Sequence, residues 1–345
     1  SQGGPIHYYT ARNEWDEASF VSKTIQKLTE GGVSPKDFAI LYRANFQSRV
    51  LEEAMLGASI PYTVLGVKFF DRKEVKDVLS YIKAALNPDS LSDIARIINF
   101  PKRGLGKVTI AKLFAGEGDS LPAKTQFKIK DFYSRLAEIK ESVETSKPSE
   151  AILFAIQKSG IEESYKLGGT EDDFERLENI KEMLTFAKKY DEVEDGMSLL
   201  LEDAALASDQ DTLTLEEKQS KNAVKMMTVH ASKGLEFPHV FIVGLEQDLF
   251  PHKRDHNQTM EESEEERRLF YVALTRGEKK VYITRATMRT IFGETKLQYP
   301  SEFIADIPEE LIEATEYEEK YNKRPSHKKG GGGGDSFFDS VVYLD

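Results

Sequence analysis

Within VHASKGLEF, His230, Lys233, Gly234 and Glu236 fall inside one seven-residue span between two strand-like runs. A glycine there lets a ligand approach the backbone, a carboxylate can accept hydrogen bonds from ribose hydroxyls, and a lysine or histidine can contact phosphate. The same letters also suit a polar turn leaving a strand. Arg276 closes the stretch EESEEERRLFYVALTRG. Held at a helix end, it could stabilise charge on a transferred phosphoryl group, or cap the last carbonyls of its own helix. IINFPKRGLGKVTI reads as helix, turn, helix, with Arg103, Gly104, Leu105, Gly106 and Lys107 at the turn. Its glycines can offer backbone N–H groups to a DNA phosphate, or make an ordinary tight connection. Arg43 and Asn45 follow the strand-like FAILYR and could hydrogen-bond a nucleic acid. Phe292 in TIFGE could stack a base, a contact worth about 1–3 kcal/mol. Taken singly, each of these three is more often structural.

Such side chains need elements to hold them. From Ile6 the text alternates: IHYYTA as a strand, a helix with Phe20, Val21, Ile25 and Leu28, FAILYR as a strand, a helix over 47–56, then PYTVLG. Short buried strands separated by amphipathic helices predict a parallel α/β sheet. Ligands in such sheets gather at the carboxyl ends of the strands, where residues 230–236 are therefore expected. Asp71 and Glu74 spell a capping box for DRKEVKDVLSYIKAAL, whose Val75, Val78, Leu79, Ile82 and Leu86 share a face, and Asn87-Pro88 stops it. Beyond it the strand signal disappears and helices follow one another, with breaks at GEGDS, SKPSE, LGGTEDD and ASDQD. Strands return with AVKMMTVH, HVFIVGL and KKVYITRA. The expected fold is α/β: a parallel sheet domain (1–89 and 221–314) interrupted by an all-helical insertion (90–220). Residues 315–345 read as a charged tail with a run of glycines as linker and a short acidic-aromatic end, DSFFDSVVYLD. That end suits either a tag-like extension or a docking peptide. The dense block Glu261, Glu262, Glu264, Glu265 and Glu266 reads as a solvated helix start at the positive end of the dipole.

A length of 345 residues suits two domains. Cysteine is absent, which excludes disulfides and thiolate metal sites, and no apolar run approaches the roughly 18 residues of a membrane helix. A reducing cytoplasm is the expected setting. The net charge of -12 argues against whole-surface attraction to nucleic acid but leaves a local basic groove open. A start at Ser-Gln-Gly-Gly-Pro, without Met or signal peptide, suggests a fragment, natural or engineered.

Taken together, ILYRANFQSR, FPKRGLGKVTI, VHASKGLEFPHVFIVGLEQDLFPH and EEERRLFYVALTRGEKK resemble the UvrD/PcrA/Rep group of superfamily 1 DNA helicases, over residues 5 to about 314. The resemblance implies that the α/β part is the second RecA-like motor domain and the insertion the mobile domain often labelled 2B. It implies that Glu236 holds the ATP ribose, that Gly234 and Lys233 shape the same loop, and that Arg276 reaches the γ-phosphate as an arginine finger. Arg43, Asn45, His252 and Phe292 match positions that contact single-stranded DNA, with His230 coupling the two ligands. The turn from Arg103 to Gly106, with Lys107 beside it, matches one that touches the duplex backbone. Two positions depart from the pattern: Gly277 follows Arg276 where many relatives carry Ala, and Ser232 stands where others carry Ala.

No stretch reads GxxxxGK[ST]; Lys124-Thr125 follows Ala123 rather than glycine, and no apolar strand ends in an Asp-Glu pair. The resemblance therefore implies that ATP with Mg2+ binds across a cleft to an N-terminal RecA-like half supplying the phosphate loop and the metal ligands, this chain holding no metal site. The implied whole is a 3′-5′ helicase or translocase on single-stranded and junction DNA, acting in repair or replication. It would be cytoplasmic, nucleoid-associated and without a membrane partner, its tail offering a place for a protein partner. Two readings compete: a catalytically inactive DNA-binding or interaction module, split or engineered, and a nuclease-helicase subunit. Against the second, no acidic nuclease cluster follows Ala314.

Overall fold

The computed structural model describes residues 4–213, 222–252 and 259–316. The alternating text forms β1 (Ile6–Ala11), α1 (Glu14–Glu30), β2 (Phe38–Tyr42), α2 (Ser48–Gly57) and β3 (Tyr62–Val64). The Asn13 side chain caps α1 by accepting from the Asp16 N–H, and Glu14, Asp16 and Glu17 suit the positive end of its dipole. Then come α3 (Lys73–Leu86), α4 (Leu91–Ile97), α5 (Lys107–Phe114), α6 (Ala123–Thr145), α7 (Pro148–Ser159), α8 (Ile161–Gly168), α9 (Glu171–Ala187) and α10 (Gly196–Leu213), with no strand among the described residues between β3 and the next strand. The sheet resumes with β4 (Val224–Thr228), β5 (Phe237–Ile242), α11 (Met260–Leu274) and β6 (Gly277–Ala286). A hairpin of β7 (Met288–Ile291) and β8 (Glu294–Leu297) follows, then β9 (Ile312–Glu316).

The seven-stranded sheet runs β3-β4-β2-β5-β6-β1-β9, and every pair in it is parallel. β4 slots beside β3, where the chain left the sheet: the Leu65 N–H donates to the Met226 carbonyl and the Val224 N–H to that of Pro61. Alternation along β2 sends Phe38, Ile40 and Tyr42 into the apolar cluster under α1 and α2, and Ala39 and Leu41 into the one under α11. All five positions of β2 are buried, as a strand covered on both faces must be. A third cluster is helical. It begins at Phe69, takes in Val75, Val78 and Ile82 of α3, and reaches Phe132, Ile152 and Ile180.

Four sequence expectations change. The capping box does not form: Arg72 occupies the N-cap without a side-chain bond, Asp71 instead accepts from Lys76 and Ser208, and Glu74 accepts from Asn179. ASDQD does not interrupt its helix, because α10 runs through to Leu213. Leu86 ends the α3 stripe exposed. β9 extends to Glu316, so the strand crosses the expected start of the tail. The glycine run and DSFFDSVVYLD lie outside the described residues.

Candidate nucleotide and single-strand sites

β4 and β5 are parallel with β2 between them, so the chain leaving the carboxyl end of β4 must travel back to the amino end of β5. Residues 229–236 make that passage. At its start the Val229 N–H donates to the Tyr42 carbonyl at the end of β2 (2.9 Å); after it the Phe237 N–H donates to the Arg276 carbonyl, just ahead of β6 (2.9 Å). His230 thus lies at the carboxyl ends of the strands and Glu236 at the amino ends. This corrects the expectation that all of 230–236 sits at the carboxyl ends, since parallel pairing forces the segment to traverse the sheet. Gly234 takes φ +86, a left-handed conformation that favours glycine. Ser232 is fully buried and its hydroxyl donates to the Val229 carbonyl at 2.7 Å, so the serine in place of alanine is satisfied locally.

At the amino ends, Arg276 performs the alternative role weighed for it and also grips the loop. Its Nε donates to the Val272 carbonyl (3.0 Å), its Nη2 to Thr275 Oγ1 (3.0 Å), and its Nη1 to the Leu235 carbonyl (2.9 Å), next to Glu236. Lys233, Gly234 and Glu236 are exposed beside it. Gly277 is explained by its neighbour: a Cβ there would stand 2.5 Å from Val281 Cγ2.

At the carboxyl ends the other candidates gather. Arg43 donates through Nε to both Glu266 oxygens (2.9 and 3.0 Å) and through Nη2 to Oε1 (2.5 Å), with both side chains about nine-tenths buried. The His252 N–H donates to the same carboxylate at 3.0 Å. Asn45 Nδ2 donates to Glu175 of α9 (3.0 Å), and His252 Nε2 lies 3.2 Å from Glu178 of α9 without an aligned hydrogen bond. Phe292 sits at φ +54 at the tip of the β7–β8 hairpin, its ring 5.3 Å from that of Phe46 and 5.8 Å from the Lys181 ammonium. The Gly293 N–H docks the tip on Thr185 of α9 (3.0 Å). Partial burial and the nearby Arg43 charge hold the His230 imidazole below its ordinary range, outweighing Glu266, Glu171 and Glu175.

Sequence reading missed Glu266, placing it with four solvated neighbours. Glu261, Glu262, Glu264 and Glu265 do not share its burial. The missed signal is periodic: Glu266 precedes Leu269, Phe270 and Ala273 at spacings that share one helix face. A second missed group is Arg289, Glu17 and Glu246, an ion cluster at the base of the hairpin with every member buried.

In the 103–107 turn the residues divide. Arg103 turns inward, donating to the carbonyls of Ile97, Pro101 and Ser159 and to the Tyr81 hydroxyl, and Leu105 is buried in the helical cluster. Gly104, Gly106 and Lys107 remain at the surface. Among the described residues no group of three or more His, Asp or Glu side chains could hold a metal ion, and no helix is long and apolar enough to cross a membrane.

Residues 1–288 match the family described as the UvrD-like helicase C-terminal domain. The chain is 40% identical over 334 residues to the ATP-dependent DNA helicase PcrA of Staphylococcus aureus (strain Mu50 / ATCC 700699), covering 91% of this chain and 45% of the relative. It is 38% identical over 335 residues to the ATP-dependent DNA helicase PcrA of Staphylococcus epidermidis (strain ATCC 12228 / FDA PCI 1200), with the same coverage. The chain therefore spans about half the length of the curated relatives it matches.

Proposed function

Because the chain belongs to the family of UvrD-like helicase C-terminal domains, we propose that it is the C-terminal motor half of an ATP-dependent DNA helicase that moves 3′ to 5′ on single-stranded DNA and separates duplexes in repair or replication. The observation that carries this reading is the split of one short segment between two ends of one sheet. Glu236 and Arg276 share the amino ends, tied through the Leu235 carbonyl. His230, Arg43, Asn45, His252 and Phe292 share the carboxyl ends. A single rigid layer thus separates a nucleotide side from a nucleic-acid side, as a motor that converts one binding event into another requires.

ATP with Mg2+ supplies the free energy, held mainly by a second RecA-like half carrying the phosphate loop and the metal ligands. The part of this chain is to offer the exposed Glu236 carboxylate to the ribose hydroxyls and the Arg276 guanidinium to the γ-phosphate, with Lys233 and Gly234 shaping the loop. The Arg276 bonds to Val272, Thr275 and Leu235 are neutral and partly exposed, so a phosphate oxyanion can replace them. The helical segment, residues 90–220 in this reading, is the 2B-type domain. It meets junction DNA at the surface backbone of Gly104 and Gly106 and at Lys107, while Arg103 and Leu105 hold the turn. The setting is the nucleoid-bearing cytoplasm, and the tail beyond Glu316 is where a protein partner would attach.

The test is steady-state ATP turnover by this chain joined to an N-terminal motor half, with and without single-stranded DNA. Arg276→Ala should lower DNA-stimulated kcat by about a thousandfold or more while changing ATP affinity far less. Turnover equal to the parent enzyme would remove Arg276 from the reaction, and a joined enzyme with no DNA-stimulated turnover at all would remove the motor assignment.

A further inference from the structure

The carboxylate of Glu266 is the only acidic group bonded to Arg43 among the described residues, and it accepts from two separate chain segments at once. Arg43 follows β2 and His252 follows β5, which are adjacent in the sheet, so their separate loops meet on this one side chain. Geometry fixes which part of Arg43 is spent. Nε and Nη2 face Glu266, while Nη1 makes no hydrogen bond among the described residues. Glu266 lies on α11, which runs back across the sheet and ends at Leu274, about 12 Å further along the helix axis and two residues before Arg276.

We infer that Glu266 is a positioning residue for single-stranded DNA: it clamps the guanidinium of Arg43 so that Nη1 faces a backbone phosphate, and it fixes the start of the His252 loop. The inference rests on the assignment of Arg43 to the DNA side. A bidentate charge-assisted pair holds the planar guanidinium in one orientation, which a single acceptor cannot do. Because the clamp is carried by the helix that ends two residues before Arg276, any displacement of α11 at the nucleotide end moves the Arg43 head group with it.

The experiment measures binding of a fluorescein-labelled oligodeoxythymidine to the full chain by anisotropy, as a function of salt, for the wild type, Glu266→Gln, Arg43→Ala and the double variant. Circular dichroism selects a temperature at which all four are folded. Glu266→Gln keeps the size and one acceptor but loses the charge and the second acceptor. It should weaken binding about tenfold and lower the slope of log affinity against log salt by about 0.7, the share of one phosphate contact. Arg43→Ala should do the same, and the double variant should lose no more than either single. A role confined to stability would leave the salt slope untouched, and that result overturns the inference. So would tighter binding by Glu266→Gln, which would show the carboxylate competing with DNA, or losses that multiply in the double variant. Wild-type binding by Glu266→Gln while Arg43→Ala is weak sinks the clamp alone; wild-type binding by Arg43→Ala sinks the assignment of Arg43 and the clamp together.

Discussion

Replacing Arg289 with Met should destabilise the sheet domain by about 3 kcal/mol, the lower end of the range for stranding buried charge. In the native fold Arg289 donates through Nε to Glu246 Oε2 (2.7 Å), and through Nη2 to Glu246 Oε1 (2.6 Å) and Glu17 Oε2 (2.5 Å). Its removal leaves two buried carboxylates facing one space. They keep three donors: the Gly244 N–H and the Thr284 hydroxyl on Glu17, and the Ala286 N–H on Glu246. Those remaining bonds place the loss at the low end. Burial already pushes the Glu246 carboxyl up, against the pull of Arg289, and without that pull it rises further. A carboxyl whose folded pKa is raised contributes stability below its unfolded pKa, near 4.3, and loses it as pH climbs through the folded value. The Arg289→Met defect should therefore be large at pH 8 and shrink toward pH 5 as one carboxyl takes up a proton. The assay is urea unfolding followed by far-UV circular dichroism at both pH values. A loss below about 1 kcal/mol at pH 8, the size of an exposed ion pair, or a loss that ignores pH, would refute the idea that this cluster is a desolvated ion network.

Burial pushes the Glu52 carboxyl up to about 7, although the Ser48 hydroxyl, the Arg72 charge and the Phe69 N–H favour its ionised form. It therefore contributes stability below pH 4.5 that disappears as pH rises to about 7. Glu52→Gln should flatten that dependence and add at most about 3 kcal/mol above pH 7, measured as thermal unfolding across pH; an unchanged profile refutes it. Gly277→Ala should destabilise by about 1–3 kcal/mol through overpacking against Val281, and Val281→Ala should restore most of that. Equal melting of Gly277→Ala and wild type would mean that the strand end relaxes freely. Phe292→Ala should weaken oligodeoxythymidine binding by about 1–3 kcal/mol, and unchanged affinity would remove the hairpin tip from the DNA track.

Much of the fold was legible because its signals are local. FAILY announces a strand covered on both faces, and the apolar stripe of α11 announces a helix lying on the sheet. What failed were choices made by distant partners. Asp71 and Glu74 carry a capping signature, but Lys76, Ser208 and Asn179 compete for the same carboxylates and win. Four glutamates of the acidic block behave as a solvated helix start, while the fifth is buried by Arg43, 223 residues away in sequence.

Most helices and strands, the α/β class, the helical stretch between β3 and β4 and the motif stretches that carry the family resemblance could be read from the letters alone, because periodicity and turn chemistry act over a few residues, whereas the β7–β8 hairpin and β9 could not. The strand order, in which the first strand pairs with β6 and β9 from the end of the described chain, emerges from the folded chain alone. The same fold decided that His230 and Glu236, six positions apart, face opposite ends of the sheet. It also brought Glu266, Arg43 and His252 to one contact. Parallel strands are hydrogen-bonded to partners that no local pattern names, and each crossover must return from the carboxyl ends of the strands to their amino ends, so proximity at the site belongs to the topology rather than to neighbouring letters.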